Sequence, residues 1–213
     1  MRLYLSSYGL GKNPERMVSL LGENKRTAII MNAQDNVLHT SRSRRLQIEI
    51  EQLSELGLKP EELDLRNYFC KPKDLKTALA QFGCFWVRGG NVFLLRRAYR
   101  QSGFDKLLVD LLEGDKATYG GFSAGICVLA PSLKGIELVD SKDEVSDGYD
   151  RAVIWDGLGV IKYSIAPHYK SDHPESADIN KCVDYFIEHN MPYKTLRDGE
   201  AIVVNGKYEE ILR

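Results

Sequence analysis

The sequence has no CxxC pair, no internal repeat, no low-complexity tract and no surplus of positive charge. It also has no apolar run approaching the about 18 residues needed to cross a bilayer. Each absence excludes something. The four cysteines, Cys70, Cys84, Cys127 and Cys182, stand far apart, which argues against a zinc knuckle or a thioredoxin-like redox site. Cys84 and Cys182 fall in apolar patterns, where a free thiol acts as a small core residue. Reduced thiols fit a cytosolic protein. Met1 is followed at once by Arg2 and a strand-like run, so no signal peptide is expected and the expected location is cytoplasmic. A net charge of −1 over 213 residues offers nothing to a polyanion; neither nucleic acid nor a membrane is an expected partner. Arg42, Arg44 and Arg45 read as the solvated start of a helix, not as a binding patch.

What is present is an alternation of strand-like and helix-like segments. Strands are predicted at Leu3–Leu5, Thr27–Met31, Leu63–Leu65, Cys84–Val87, Thr118–Tyr119 and Ile161–Ala166. Helices are predicted from Ser41 to Leu56, Pro72 to Phe82, Val92 to Arg100 and Phe104 to Glu113, and after Ser123 from Ala124 to Leu129. A last helix, capped by Ser176, carries Ile179, Cys182, Val183, Phe186 and Ile187 on one apolar face. The stretch from Pro131 to Gly159 reads as irregular. Asn205-Gly206 between two apolar runs signals a terminal β-hairpin. Together these predict one α/β domain over residues 1–213, three-layered, with a mostly parallel sheet covered by helices on both faces and a C-terminal hairpin at its edge.

Gly121-Phe122-Ser123-Ala124-Gly125 lies between a predicted strand and a predicted helix. A serine hydroxyl is a weak nucleophile and needs a base, an orienting acid and donors for the oxyanion. A strand-to-helix turn with small neighbours exposes the serine and sets it at a helix N-terminus, where free N–H groups favour developing negative charge. The Ala124 N–H is the natural first donor. Among the histidines, His39 reads as lying in a loop, His173 as exposed in a polar loop and His189 as a helix-end residue. His168 follows a β run, at a strand end of the kind where open α/β sheets bind ligands, and is the expected base. Asp198 is the first candidate for the acid and Glu200 the second, with Asp140, Asp143, Asp147 and Asp150 held in reserve. Gly89-Gly90-Asn91, after a buried strand and before a helix, is expected to provide the second oxyanion element. The full GxGxxG and G-K-[ST] fingerprints are missing, so a nucleotide role is weak; no cofactor and no metal are expected.

Taken in order, Gly-Gly-Asn after a buried strand, Gly-x-Ser-Ala-Gly, Pro-His and an acidic-Gly pair resemble the S51 peptidases, clearest from Trp86 to Val204. That family includes aspartyl dipeptidases and the more distant cyanophycinases. The resemblance implies a class I glutamine amidotransferase-like, flavodoxin-like fold and a small peptide as substrate. It places the nucleophile at Ser123, the base at His168, the acid at Asp198, and the oxyanion element at Gly89, Gly90 and Asn91. Two departures stand out. Arg88 occupies a position where peptidase E has glycine, and no arginine lies between Arg151 and Arg197 to grip an aspartate side chain. The expectation is therefore a cytoplasmic serine exopeptidase, dimeric by the commonest default, without a preference for aspartate. An α/β-hydrolase-type esterase or amidase, and a non-catalytic binding protein on an amidotransferase-like fold, are the competing expectations.

Overall fold

In the computed structural model, which describes residues 1–213, apolar strands with alternating side chains fill the middle of the molecule. The elements run β1 (Arg2–Ser6), α1 (Pro14–Leu20), β2 (Arg26–Ile30), α2 (His39–Glu55), β3 (Lys59–Glu62), α3 (Pro72–Leu79), β4 (Cys84–Val87), α4 (Val92–Ser102), α5 (Phe104–Glu113) and β5 (Thr118–Phe122). They continue with α6 (Ala124–Cys127), β6 (Ser164–Ala166), α7 (Ser176–Glu188), β7 (Tyr193–Thr195), β8 (Ala201–Asn205) and β9 (Tyr208–Leu212).

Seven strands form one sheet in the order β3-β2-β4-β5-β1-β8-β9. The first five are mutually parallel; β8 and β9 pair antiparallel as the terminal hairpin. Side chains of successive strand residues leave opposite faces, and this divides the core in two. Leu3, Leu5, Phe85, Val87 and Tyr119 point into a larger core under α3, α4, α5 and α7. Tyr4, Ile29, Trp86 and Phe122 point into a smaller one under α1 and α2, reached by Met17 and Leu53. The result is the expected three-layer α/β arrangement. No helix is long and apolar enough to cross a membrane.

Local differences from expectation have local causes. The strand expected at Leu63–Leu65 lies instead at Lys59–Glu62, whose charges and Pro60 argue against a strand; it is an edge strand, where proline and charge are tolerated. The helix of α1 starts at Pro14, a favoured residue in a first turn. The helix after Ser123 is a single turn, Ala124–Cys127, and β6 covers only Ser164–Ala166. Ser176 is the first helical residue of α7 rather than its cap, and its Oγ accepts the Ser171 N–H. Arg42 is not solvated: it is buried and paired with Asp35 and Glu62.

Outside the main sheet, β6 and β7 form a two-stranded parallel ladder of their own, with Ala166 opposite Thr195. Hydrogen bonds from Leu196 N to Ala166 O and from Tyr169 N to Leu196 O extend it. The residues leaving its C-terminal end are therefore held beside each other, next to the C-terminal ends of β1, β4 and β5.

Candidate active site

The Gly-x-Ser-x-Gly segment folds as a sharp passage from β5 to α6, with Ser123 between them at φ +51 and ψ −121. A non-glycine residue with positive φ is uncommon and costs of order 1–3 kcal/mol unless the surroundings impose it. Here they do. A Cβ at Gly121 or Gly125 would sit 2.6 or 2.3 Å from the Val87 carbonyl oxygen, so only glycine lets the turn close against β4. The Ser123 N–H donates to the carbonyl of Ser7 at the end of β1. As the first residue of α6, Ala124 has an N–H without an intrahelical partner.

His168 leaves the end of β6 with φ +58 and is 1% exposed. Its Nδ1 lies 2.7 Å from Asp198 Oδ1, beyond the end of β7. An ionised Asp198 accepts only, so Nδ1 carries the proton and Nε2 keeps its lone pair. Burial pushes the His168 pKa below its ordinary value; the Asp198 charge and hydrogen bond oppose that shift, and His173 adds to it. Ser7 ties the pair to the main sheet. Its Oγ accepts the His168 N–H at 2.8 Å and donates to Asp198 Oδ1 at 2.8 Å. The Asp198 N–H in turn donates to Ser171 Oγ. Glu200 does something else: its carboxylate accepts the Arg197 N–H within the turn, and its carbonyl accepts from Ser7 N. Asp140 is also spent elsewhere, accepting the Val92 N–H at the start of α4. Asp143 pairs with Lys142, and Asp147 and Asp150 are exposed.

Ser123, His168, Gly89 and Gly90 line one cavity of about 300 Å³, together with Tyr8, Gln34, Arg45, Arg88, Phe122, His173 and Glu175. Ser123 and His168 face the same space without a hydrogen bond between them; such bonds are often long in unliganded sites and tighten on substrate binding. Gly89 packs so closely that a Cβ there would lie 2.8 Å from that of Ser123. The Gly90 N–H has no acceptor in the protein, whereas Asn91, expected beside it, is committed internally. The Asn91 N–H donates to Ala33 O, its Oδ1 caps α4 through Leu94 N, and its Nδ2 donates to Ser141 O. Asn91 shapes the loop and has no free donor on its backbone.

Sequence reasoning missed several of these residues. His173 is not exposed: its ring stacks on that of His168, with centroids 3.7 Å apart and planes 8° from parallel, and Tyr8 meets His168 edge-on and His173 at a tilt. One imidazole nitrogen from each of His168 and His173 and a carboxylate oxygen of Asp198 lie within 4.8 Å of one another. Parallel stacked imidazoles send their in-plane lone pairs side by side, a poor arrangement for the convergent geometry a metal asks for. Arg45, read as solvated, reaches the cavity from α2. Arg88, read only as a departure from glycine, pairs with buried Glu49 and lies over the Phe122 ring. The cavity thus has two guanidinium groups that no spacing relative to His168 revealed. The one signal for Arg45 was the Arg42–Arg45 run at the start of a helix that follows β2.

Comparisons with known proteins bear on the family and the fold. The family model for peptidase family S51 matches residues 16–212. An uncharacterised peptidase of Listeria monocytogenes is 29% identical over 155 residues, covering 73% of this chain and 71% of that protein. A Drosophila melanogaster protein named "Probable alpha-aspartyl dipeptidase" is 24% identical over 156 residues, covering 71% of this chain and 61% of its own length. Among solved structures, a Listeria monocytogenes protein whose name refers it to peptidase E superposes with a TM-score of 0.79 at 25% identity, over 100% of this chain and 98% of that one. A peptidase from an acI-B1 actinobacterium shares the fold, with a TM-score of 0.74 at 15% identity over 99% and 86% of the two chains. The chain belongs to peptidase family S51.

Proposed function

We propose that this protein is a cofactor-independent serine peptidase that cleaves short peptides through Ser123, His168 and Asp198. The observation that carries it is the pairing of His168 Nδ1 with Asp198 at 2.7 Å, which leaves Nε2 as the free nitrogen in the cavity that Ser123 lines.

The steps follow from the groups present. His168 Nε2 takes the Ser123 proton as Oγ attacks the scissile carbonyl, and the imidazolium that forms is held by Asp198. The carbonyl oxygen becomes an oxyanion facing the unbonded N–H groups of Gly90 and Ala124. His168 then hands its proton to the leaving amine. Water enters, His168 takes a proton from it, and the acyl-serine is hydrolysed by the same route in reverse. The depressed pKa of His168 keeps it unprotonated, and so able to act as the base, at neutral pH.

A 300 Å³ cavity suits a peptide of a few residues. Its walls differ in charge: Arg45 from α2 has no carboxylate partner, Arg88 just after β4 is already paired with Glu49, and Glu175 lies on the segment after His168. A zwitterionic peptide with an acidic group fits that distribution. Preference for acidic substrates therefore returns as part of the proposal, by an arginine other than the one whose absence argued against it. Membership of a peptidase family displaces the esterase alternative. A dipeptide panel varying the N-terminal residue, with Asp-Leu included, tests both parts. Turnover abolished by Ser123→Ala is the expected result, with acidic peptides cleaved fastest. Equal turnover by wild type and Ser123→Ala refutes the mechanism, and indifference to N-terminal charge refutes the specificity.

A further inference from the structure

Gln34 makes an unusual pair of contacts for a residue at the end of a strand. It belongs to a single 3-10 turn, Asn32–Gln34, that follows β2, and it is 8% exposed. Its Nε2 donates to the Gly89 carbonyl at 2.6 Å. Its Oε1 accepts from the Arg45 guanidinium. Arg45 can only donate, so the amide cannot be turned round: the nitrogen must face Gly89.

The consequence lies in the next peptide group. No peptide bond in the chain is cis, and in a trans peptide the carbonyl and the following N–H point in opposite directions. Fixing the Gly89 carbonyl toward Gln34 therefore fixes the Gly90 N–H away from it. That N–H is the one without an acceptor, in the cavity lined by Ser123. The peptide is gripped from three sides. Arg88 N donates to Ile30 O just before it, and Asn91 N donates to Ala33 O just after it. Gly90 itself, at φ +151, could not carry a side chain, since a Cβ would meet Ala33 O at 2.3 Å. Of these contacts only the one from Gln34 is made by a side chain, and it acts on the peptide plane that carries the donor.

We propose that Gln34 is a positioning residue for the oxyanion donor: it orients the Gly89–Gly90 peptide, and Arg45 holds Gln34 in the orientation that does so. Gln34 does not touch the reacting atoms. The inference rests on Ser123 being the nucleophile, and the experiment separates the two claims.

The probe is a fluorophosphonate, whose phosphoryl oxygen takes the place of the substrate oxyanion when Ser123 Oγ attacks phosphorus and fluoride leaves. Labelling is followed for wild type and for Ser123→Ala, Gln34→Met and Gln34→Glu, with thermal unfolding as a check on folding. Met keeps the length of Gln34 and loses its donor. Glu keeps the pairing with Arg45 and, ionised, also has no donor, so it remains informative if the Met variant fails to fold. The expected result is labelling of wild type, none of Ser123→Ala, and a maximal inactivation rate about 10–100-fold lower in both Gln34 variants. Loss of one direct oxyanion donor costs about 10²–10³ in rate, and misorienting one costs less. The concentration for half-maximal inactivation should stay within about threefold, because a ground-state contact is not what is lost. Folded Gln34 variants that label at the wild-type rate overturn this inference and leave the peptidase mechanism standing. A folded wild type that does not label overturns the mechanism, and the inference with it.

Discussion

Replacing Asp198 with asparagine keeps the shape of the site and removes one charge. The charge is close: Asp198 Oδ1 lies 2.7 Å from His168 Nδ1, and His168 is buried. Two unit charges about 4 Å apart at an effective dielectric near 20 interact by about 4 kcal/mol, which is about three decades in rate. Removing the orienting acid of another Ser-His-Asp triad costs about 10⁴. The Asp198 side chain is 24% exposed, and solvent screens part of its field. The smaller figure, about 10³ in kcat, is therefore expected for Asp198→Asn. A second readout goes with it. Asp198 holds the His168 pKa up against the effect of burial, so its loss should move the acid limb of the pH–rate profile to lower pH while the plateau falls. Peptide hydrolysis measured from pH 4 to 9 gives both numbers. Glu200→Gln serves as the control and should stay within about twofold, since its carboxylate only closes a turn. An Asp198→Asn enzyme within threefold of wild type, or a Glu200→Gln enzyme that is inactive, would refute the assignment of the acid.

Other perturbations read other parts of the structure. His173→Ala uncovers one face of His168 and removes an influence that lowers its pKa; the acid limb should move to higher pH, opposite to Asp198→Asn, as seen in kcat/KM profiles. Desolvation in its half-buried setting raises the Asp140 pKa to about 7. Its folded value exceeds its unfolded one, so the stability linked to this group is complete below about pH 4 and is lost as pH rises through about 7. Asp140→Asn keeps an acceptor for the Val92 N–H, and its urea midpoint should gain on wild type between pH 5 and 8. Gly125→Ala places a Cβ 2.3 Å from Val87 O; chemical denaturation should show a loss of about 1–3 kcal/mol, and activity should fall with it because the Ser123 turn opens.

The parts of this molecule legible in the sequence are those where one residue pattern has one physical solution. The apolar runs of β2 and β4 could only be buried strands. Gly121 and Gly125 around a serine between strand and helix pointed to a tight turn, since larger residues would collide with β4. The strand at Lys59–Glu62 was illegible because an edge strand borrows its order from β2 and needs no pattern of its own. His173 looked like a loop residue because nothing in Lys170–Pro174 shows that the loop folds back over His168. Gln34 and Arg45 were hidden for a related reason. Gln34 matters through its contact with Gly89, 55 residues away in the chain, and Arg45 through its contact with Gln34, and side-chain chemistry alone does not encode a partner at that distance.

The short β6–β7 ladder has a consequence for when activity arises. By residue 125 a growing chain already contains the serine, its strained turn and the Gly89–Gly90 peptide. His168 and Asp198, the proposed base and acid, follow a separate ladder formed from the last quarter of the sequence, and Ser7, near the start, joins that ladder to the sheet. On the proposed mechanism, hydrolysis is then a late property of the folding chain. On that mechanism, a chain under synthesis carries its nucleophile well before the base that would activate it.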